Sequence, residues 1–169
     1  MVMLIAAETM LFVGLIGSYL MFRIGSVVWP SAHLYLPIGV TWFNTAILLS
    51  SGYTMQRAIH AARAGDRSQL LSRLGITTLL GIVFLSVQGY EWLHLIRDGL
   101  TISTGIYGAT FYTLIGCHAL HVLAAVIWLG FLWKQAHKQA SLVQVEICRI
   151  YWHYVCALWI VLFALVYLN

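Results

Sequence analysis

The chain has 169 residues, of which 62% are hydrophobic and only 8% are charged, and its mean hydropathy is +0.89. This composition excludes an ordinary soluble globular domain and predicts an integral membrane protein. The net charge of +4 does not indicate a nucleic-acid partner, because the basic residues are few and lie between the apolar segments.

Five stretches are long and apolar enough to cross a hydrocarbon core about 30 Å thick as α-helices. Their hydrophobicity is continuous, whereas the strands of a membrane barrel alternate between apolar and polar residues. We therefore predict an all-α, polytopic membrane protein in which residues 1–169 form a single five-helix bundle. In chain order, the predicted helices cover approximately residues 1–22, 36–56, 74–96, 107–133 and 147–168.

The connections between these stretches predict the orientation. Pro30 lies in the first connection and Pro37 at the border between this connection and the second predicted helix, so no predicted span is interrupted by proline in its interior. The second and fourth connections carry most of the basic residues, and such loops stay on the inner side of the membrane. We expect the N-terminus inside and the C-terminus outside. The basic residues of these two connections are Arg57, Arg63, Arg67, Arg73, Lys134 and Lys138.

Ionisable residues inside the apolar stretches mark the candidate functional site. They are Glu8, Glu91, His118, His121 and His153. A charged side chain at the centre of a membrane helix costs about 2.5 kcal/mol or more. Such residues therefore normally face protein or water, and they often serve a function.

Depth along the helices brings several of these residues to one level. With a rise of about 1.5 Å per residue, Glu8, His121 and His153 all lie about 10 Å from the inner surface. His118 lies near the middle of the membrane, and Glu91 lies towards the outer side. Three further polar residues surround Glu91 in the sequence: Gln88, Tyr90 and His94.

The residues alone leave several roles open for these groups. One possibility is that these side chains form structural hydrogen bonds between helices. The other possibilities are a proton-linked role, a lipid-headgroup site or a metal site. No Glu-x-x-His pair is present, and His118 with His121 is the one close pair of histidines. We therefore predict that the chain holds no metal.

Seven motifs in order resemble subunit III of the haem-copper oxidases. The resemblance extends over nearly the whole chain, and its most specific parts are the GCHALHV and YWHYV segments. The motifs are Glu8 to Phe12 (ETMLF), Asn44 to Gly52 (NTAILLSSG), Gly65 to Arg67 (GDR), Gln88 to Trp92 (QGYEW), Gly105 to Tyr112 (GIYGATFY), Gly116 to Val122 (GCHALHV) and Tyr151 to Val155 (YWHYV).

This resemblance implies a function. It implies a short five-helix bacterial form of a non-catalytic subunit in the bacterial plasma membrane, within a terminal oxidase that reduces oxygen to water and translocates protons. Haem and copper are expected in partner subunits I and II, and this chain is expected to carry no redox centre. A small subunit IV, a respiratory supercomplex and structural phospholipid are further candidate partners.

The resemblance also implies roles for individual residues. The carboxylate matching Glu8 is the family's buried acid that reacts with a hydrophobic carbodiimide. Cys156 stands where the family usually has an aspartate, so any ion pair or proton relay through that acid is expected to be absent. Lipid or subunit contacts are expected at Arg23, Trp42, Gln88, Tyr90 and Trp152.

The expected role is to support proton uptake, complex stability and lipid binding. Two alternatives remain open from the sequence. One is an accessory membrane subunit of a nitric oxide reductase, and the other is a free-standing proton-coupled carrier that uses Glu8 and Glu91. The sequence does not decide between cytochrome c and quinol as the electron donor.

Overall fold

The described part of the chain folds into five long helices, as predicted. The computed structural model describes residues 1–25, 38–138 and 141–168, and every regular element in these ranges is helical. Pro30, Pro37 and residue 36 of the second predicted helix lie outside the described residues. The helices are α1 (Val2–Gly25), α2 (Ile38–Arg63), α3 (Arg67–Arg97), α4 (Ile106–Ala136) and α5 (Leu142–Val166), with a short 3-10 helix (Ile102–Thr104) before α4.

The polar connection predicted at residues 57–73 is almost entirely helical. Only residues 64–66 separate α2 from α3. Gly65 has a φ of +71°, which a residue without a side chain adopts at little cost. The Asp66 side chain caps α3 by accepting a hydrogen bond from the Gln69 backbone N–H at 3.0 Å. The helices extend beyond the apolar spans because hydropathy marks where a helix leaves lipid, not where its hydrogen bonds end.

Four of the described helices, α1, α3, α4 and α5, are long and apolar enough to cross a membrane. The α2 helix is less apolar because one of its faces carries buried polar side chains. It packs between α3 and α5, so these side chains face protein and not lipid. A membrane span for α2 remains a prediction. Its buried polar residues are Thr41, Asn44, Thr45 and Ser51.

Consecutive helices run in opposite directions, and this gathers most of the basic residues at one end. The Arg63 guanidinium near the end of α2 lies 3.0 Å from the Glu146 carboxylate near the start of α5. At the same end, Arg67 of α3 donates a hydrogen bond to the carbonyl of Ala136 in α4 at 3.2 Å. We call this the basic end. Its basic residues are Arg57, Arg63, Arg67, Arg73, Lys134, Lys138 and Arg149.

The centre of the bundle depends on a close approach between α3 and the pair α4 and α5. A Cβ atom added at Gly81 would lie 2.7 Å from Val126 Cγ2 and 2.8 Å from Trp152 Cη2. Both distances are shorter than a van der Waals contact. Small residues allow membrane helices to approach in this way. The α1 helix is peripheral by comparison, since Phe12 and Tyr19 are its buried residues.

We predict that Gly81→Ala lowers the free energy of unfolding by about 1–3 kcal/mol, because the added methyl group overpacks the contact with Trp152. Thermal unfolding of the protein purified from membranes in detergent measures this. Gly130→Ala in α4 is the matched control, because no atom lies within 4 Å of its added Cβ. Equal unfolding temperatures for the two variants would contradict the close packing at Gly81.

Candidate functional site

The Glu8 carboxylate of α1 meets side chains of α4 and α5. Its Oε1 lies 3.8 Å from Nε2 of His121 and accepts a hydrogen bond from the Tyr151 hydroxyl at 3.2 Å. The side chains of Glu8 and His121 are 13% and 18% exposed, so protein largely encloses both. We call Glu8, His121 and Tyr151 the Glu8 cluster.

The His121 ring has one nitrogen committed to its own helix. Its Nδ1 lies 2.7 Å from the carbonyl oxygen of Cys117. Because a carbonyl oxygen only accepts, Nδ1 carries a hydrogen, and the neutral ring presents the lone pair of Nε2 to Glu8. The 3.8 Å separation exceeds a hydrogen bond, so a hydrogen bond between Nε2 and the Glu8 carboxyl group requires the two groups to approach.

Glu8 has one oxygen with no protein partner. Its Oε2 is buried and forms no hydrogen bond within the described part of the chain. The carboxyl group is therefore held there by one hydrogen bond, from the Tyr151 hydroxyl to Oε1.

The structure does not bring His153 to Glu8. Tyr151 and Tyr154 share the face of α5 that meets α1, where the Thr9 hydroxyl donates a hydrogen bond to the Tyr154 oxygen at 3.3 Å. His153 points elsewhere, and its Nδ1 lies 2.8 Å from the carbonyl oxygen of Arg149 in the same helix. Depth placed His153 at the right level, but the rotation of α5 selects Tyr151 as the partner of Glu8.

A second acid cluster surrounds Glu91 and has both carboxylate oxygens satisfied. The Thr41 hydroxyl donates a hydrogen bond to Oε1 at 2.7 Å, and the Gln88 amide donates one to Oε2 at 2.9 Å. The same amide lies 3.5 Å from the Tyr167 hydroxyl. These contacts join α2 and α3 to the segment at the end of α5, so this group, the Glu91 cluster, acts as a clamp between helices.

Tyr90 and His94 lie outside the Glu91 cluster. The Tyr90 hydroxyl is 3.2 Å from Nε2 of His94, and 60% of Tyr90 is exposed. Trp42 is 54% exposed and packs edge-on against Phe163, with ring centroids 4.9 Å apart. Arg23, in the last turn of α1, is partly buried. Arg23, Trp42 and Tyr90 thus keep surface that a lipid or a neighbouring subunit can reach.

Gln88 and Trp152 were predicted to contact lipid or another subunit, but the bundle buries both. Gln88 hydrogen-bonds Glu91, and the Trp152 indole N–H donates to the Ser51 hydroxyl at 3.1 Å. Their positions near predicted span ends resemble those of interfacial residues. The Gln88 amide N–H and the Trp152 indole N–H nevertheless bind partners within the chain, and burial leaves no surface of either side chain for a lipid.

His118 lies between the two acid clusters in an aromatic environment. Its ring stacks on Trp159 at 5.1 Å between centroids, and Phe12 and Phe84 pack edge-on at 6.5 Å. The side chain is fully buried, and neither ring nitrogen has a hydrogen-bond partner among the described residues. His118 therefore belongs to neither acid cluster, although it is one helical turn from His121.

Sequence reasoning missed Tyr151 and Thr41. Tyr151 opens the YWHYV motif, but only the packing of α5 against α1 shows which residue of that motif meets Glu8. Thr41 had a visible signal. It begins a polar stripe on α2 with the spacing of one helical face, and that stripe continues through Asn44, Thr45 and Ser51.

The described residues include no group of three or more His, Cys, Asp and Glu side chains placed to hold a metal ion. Cys156 occupies the position where the resemblance leads one to expect an acid. Its Sγ lies 3.8 Å from the Leu48 carbonyl oxygen, to which it forms a weak hydrogen bond. The α5 helix thus contributes a thiol at this position, where an aspartate would have contributed a charge facing α2.

These features define a polytopic helical membrane protein with two interhelical acid clusters, and sequence comparisons assign its family. The sequence model of the family cytochrome c oxidase subunit III matches residues 1–169. The chain is 39% identical to cytochrome c oxidase subunit 3 of Synechocystis sp., over 99% of this chain and 73% of the relative. It is 35% identical to cytochrome c oxidase subunit 3 of Corynebacterium diphtheriae, over 98% of this chain and 84% of the relative.

The chain therefore belongs to the cytochrome c oxidase subunit III family. A further relative, cytochrome c oxidase subunit 3 of a Bacillus species, is 30% identical over 97% of this chain and 81% of its own length. With four span-length apolar helices among the described residues, the chain is a multi-pass protein of the bacterial plasma membrane. It is part of an oxidase complex.

We predict that His118→Leu changes the free energy of unfolding by less than about 1 kcal/mol or stabilises the protein, because an imidazole without partners gives way to an apolar group. The measurement is thermal unfolding of the detergent-solubilised oxidase complex. Glu91→Leu is the contrasting variant. It leaves Thr41 and Gln88 without their partner, so we expect a clear loss of stability. A loss for His118→Leu as large as that for Glu91→Leu would show that the imidazole has a polar partner.

Proposed function

We propose that this chain is the non-catalytic subunit III of a terminal haem-copper oxidase, which reduces oxygen to water and translocates protons. Family membership supports the proposal, and the names of the relatives favour cytochrome c as the electron donor. The haems and copper belong to subunits I and II in this proposal. This chain packs against subunit I, with a small subunit IV and a respiratory supercomplex as further partners.

The Glu8 cluster supports proton uptake by the catalytic subunit. The observation that carries this role is the buried Glu8 carboxyl group 3.8 Å from an imidazole nitrogen whose ring is fixed by the Cys117 carbonyl. Polar contacts between membrane helices contribute only about 0.6 kcal/mol on average. A contact of that size is a weak reason to keep an ionisable acid in an apolar bundle. Proton exchange, in contrast, requires an ionisable group.

The basic end faces the side from which protons are taken up. Basic residues concentrate on the inner side of membrane proteins, and seven of the nine Lys and Arg residues lie at this end, as named above. The N-terminus of α1 is at the same end, so Glu8 lies two turns from it. The inner location places the Glu8 cluster near the aqueous side that supplies protons.

Stability and lipid binding complete the proposed role. The Glu91 cluster clamps α2 to α3 and the end of α5. The α1 helix presents a broad apolar surface, with Val2, Met3, Met10 and Ile24 each more than three-quarters exposed. A surface of this kind suits contact with phospholipid chains or with subunit I.

We predict that Glu8→Gln lowers the turnover of the assembled oxidase and accelerates its inactivation during turnover. The amide oxygen still accepts from Tyr151, so the unfolding free energy changes by less than about 1 kcal/mol. The variant lacks only the acidic proton of the carboxyl group. Oxygen consumption with time, with thermal unfolding measured in parallel, checks both parts. Unchanged turnover and unchanged inactivation would remove the proton role of Glu8.

A matched pair of tyrosine variants isolates the hydrogen bond to Glu8. Tyr151→Phe removes that bond, and Tyr154→Phe removes only the contact with Thr9 on the same helix face. We expect the pH dependence of turnover to shift for Tyr151→Phe and to remain that of the wild type for Tyr154→Phe. Identical profiles for both variants would mean that the tyrosine has only a packing role.

We predict that Ser68 faces the inner side and Ser103 the outer side. Ser68 is in the first turn of α3, Ser103 is in the 3-10 helix that follows the other end of α3, and both are exposed. A chain with its own cysteines replaced, carrying Ser68→Cys or Ser103→Cys, is treated in intact cells with a membrane-impermeant maleimide. Ser103→Cys should react at once, and Ser68→Cys only after permeabilisation. The reverse pattern would invert the proposed orientation.

A further inference from the structure

A groove at the basic end lies outside both acid clusters. Its cavity of about 450 Å³ opens between the last turns of α2 and the first turns of α3. The guanidinium group and the imidazole ring that line it come from one face of α2. The single carboxylate of the lining comes from the turn between α2 and α3. The lining side chains used below are Tyr53, Gln56, Arg57, His60, Asp66 and Gln69.

Arg57 is an uncommitted cation within the described part of the chain. Arg63 on the neighbouring face pairs with Glu146 at 3.0 Å, but Arg57 forms no ion pair or hydrogen bond. The one acid in the groove is Asp66, and its Oδ1 already accepts a hydrogen bond from the Gln69 backbone at 3.0 Å. No ion pair joins Asp66 to Arg57 within the described residues, so the Arg57 guanidinium is available to an anionic ligand.

The exposed face of α2 joins this charge to an apolar surface. Leu49 and Tyr53 are 44% and 64% exposed, and Arg57 and His60 continue the same face one and two turns further on. The order along the helix is apolar side chain, aromatic ring and then cation. A membrane protein meets the acyl chains, the interface and the phosphate layer of a phospholipid in this order.

We propose that this groove binds the headgroup phosphate of an anionic phospholipid, whose acyl chains lie along Leu49 and Tyr53. Arg57 contacts the phosphate as a charge, and the His60 ring and the Gln69 amide supply hydrogen-bond donors around it. Inorganic phosphate would use the same cation but would gain nothing from the apolar stripe. The site depends on α2 spanning the membrane, and it is independent of the proton role proposed for Glu8.

The first test compares variants in the intact oxidase complex. The complex is purified in mild detergent, reconstituted with phosphatidylcholine and titrated with spin-labelled phosphatidylglycerol. We expect Arg57→Gln/His60→Gln to weaken phosphatidylglycerol binding at least about fivefold, since each cation near a charged lipid contributes about that factor. Lys134→Gln/His137→Gln is the matched control. It likewise removes one basic residue and one histidine from the same end of the bundle, away from the groove.

Equal binding by the two double variants would overturn the site. Equal binding of spin-labelled phosphatidylcholine and phosphatidylglycerol to the wild type would also overturn it, because the groove would then ignore headgroup charge. The binding experiment does not use the Glu8→Gln variant. Its result can therefore refute the lipid site without refuting the proton role of Glu8, and loss of the proton role would leave the lipid site untouched.

A second measurement needs no variant and covers the case in which the double variant does not assemble. A phosphatidylglycerol analogue with a photoactivatable diazirine near the headgroup is cross-linked to the wild-type complex, and the labelled peptides are sequenced. We expect label between Tyr53 and Gln69, suppressed by excess phosphatidylglycerol but not by inorganic phosphate. Label confined to other segments would refute the proposal, and suppression by inorganic phosphate would identify a free-phosphate site in its place.

Discussion

Hydrocarbon offers no hydrogen-bond partner, so polar side chains inside this bundle depend on partners from neighbouring helices. The arrangement of α2 follows from this constraint. Thr41 hydrogen-bonds Glu91 of α3, and Ser51 and Thr45 accept from the indoles of Trp152 and Trp159 in α5. A helix of modest hydropathy thereby takes an interior position. Its polar atoms fix the rotation and the level of the helices around it.

The same constraint separates the two buried acids. Both oxygens of Glu91 accept hydrogen bonds, one from Thr41 and one from Gln88. Glu8 has one oxygen that accepts from Tyr151, one without a partner in the described part of the chain, and an imidazole slightly beyond hydrogen-bond distance. Side-chain networks of this kind stiffen a bundle, so Glu91 clamps α2 to α3 and the end of α5, whereas fewer contacts hold Glu8.

Charge and exposure describe how the subunit sits in its surroundings. The basic end combines paired arginines, such as Arg63 with Glu146, and an unpaired one at Arg57. Paired arginines join α2 to α5, and the unpaired charge is available to a ligand. On the other side, α1 buries little of its own surface and reaches the bundle through Phe12, Tyr19 and the Glu8 contacts. An incompletely covered helix is expected of a chain that works inside a larger complex.

The sequence by itself determined the helical class, the approximate helices, the family and the buried acids. The reason is that the lengths of the apolar segments and the order of the motifs are properties of the sequence alone. It also placed Glu8 and His121 at one depth, since rise per residue is constant. Only the tertiary structure decided that Tyr151 and not His153 meets Glu8, that Gln88 and Trp152 are buried, and that α2 and α3 extend through the polar connection. The physical reason is helix rotation. Depth follows from counting residues, but the direction of each side chain follows from how the helices pack.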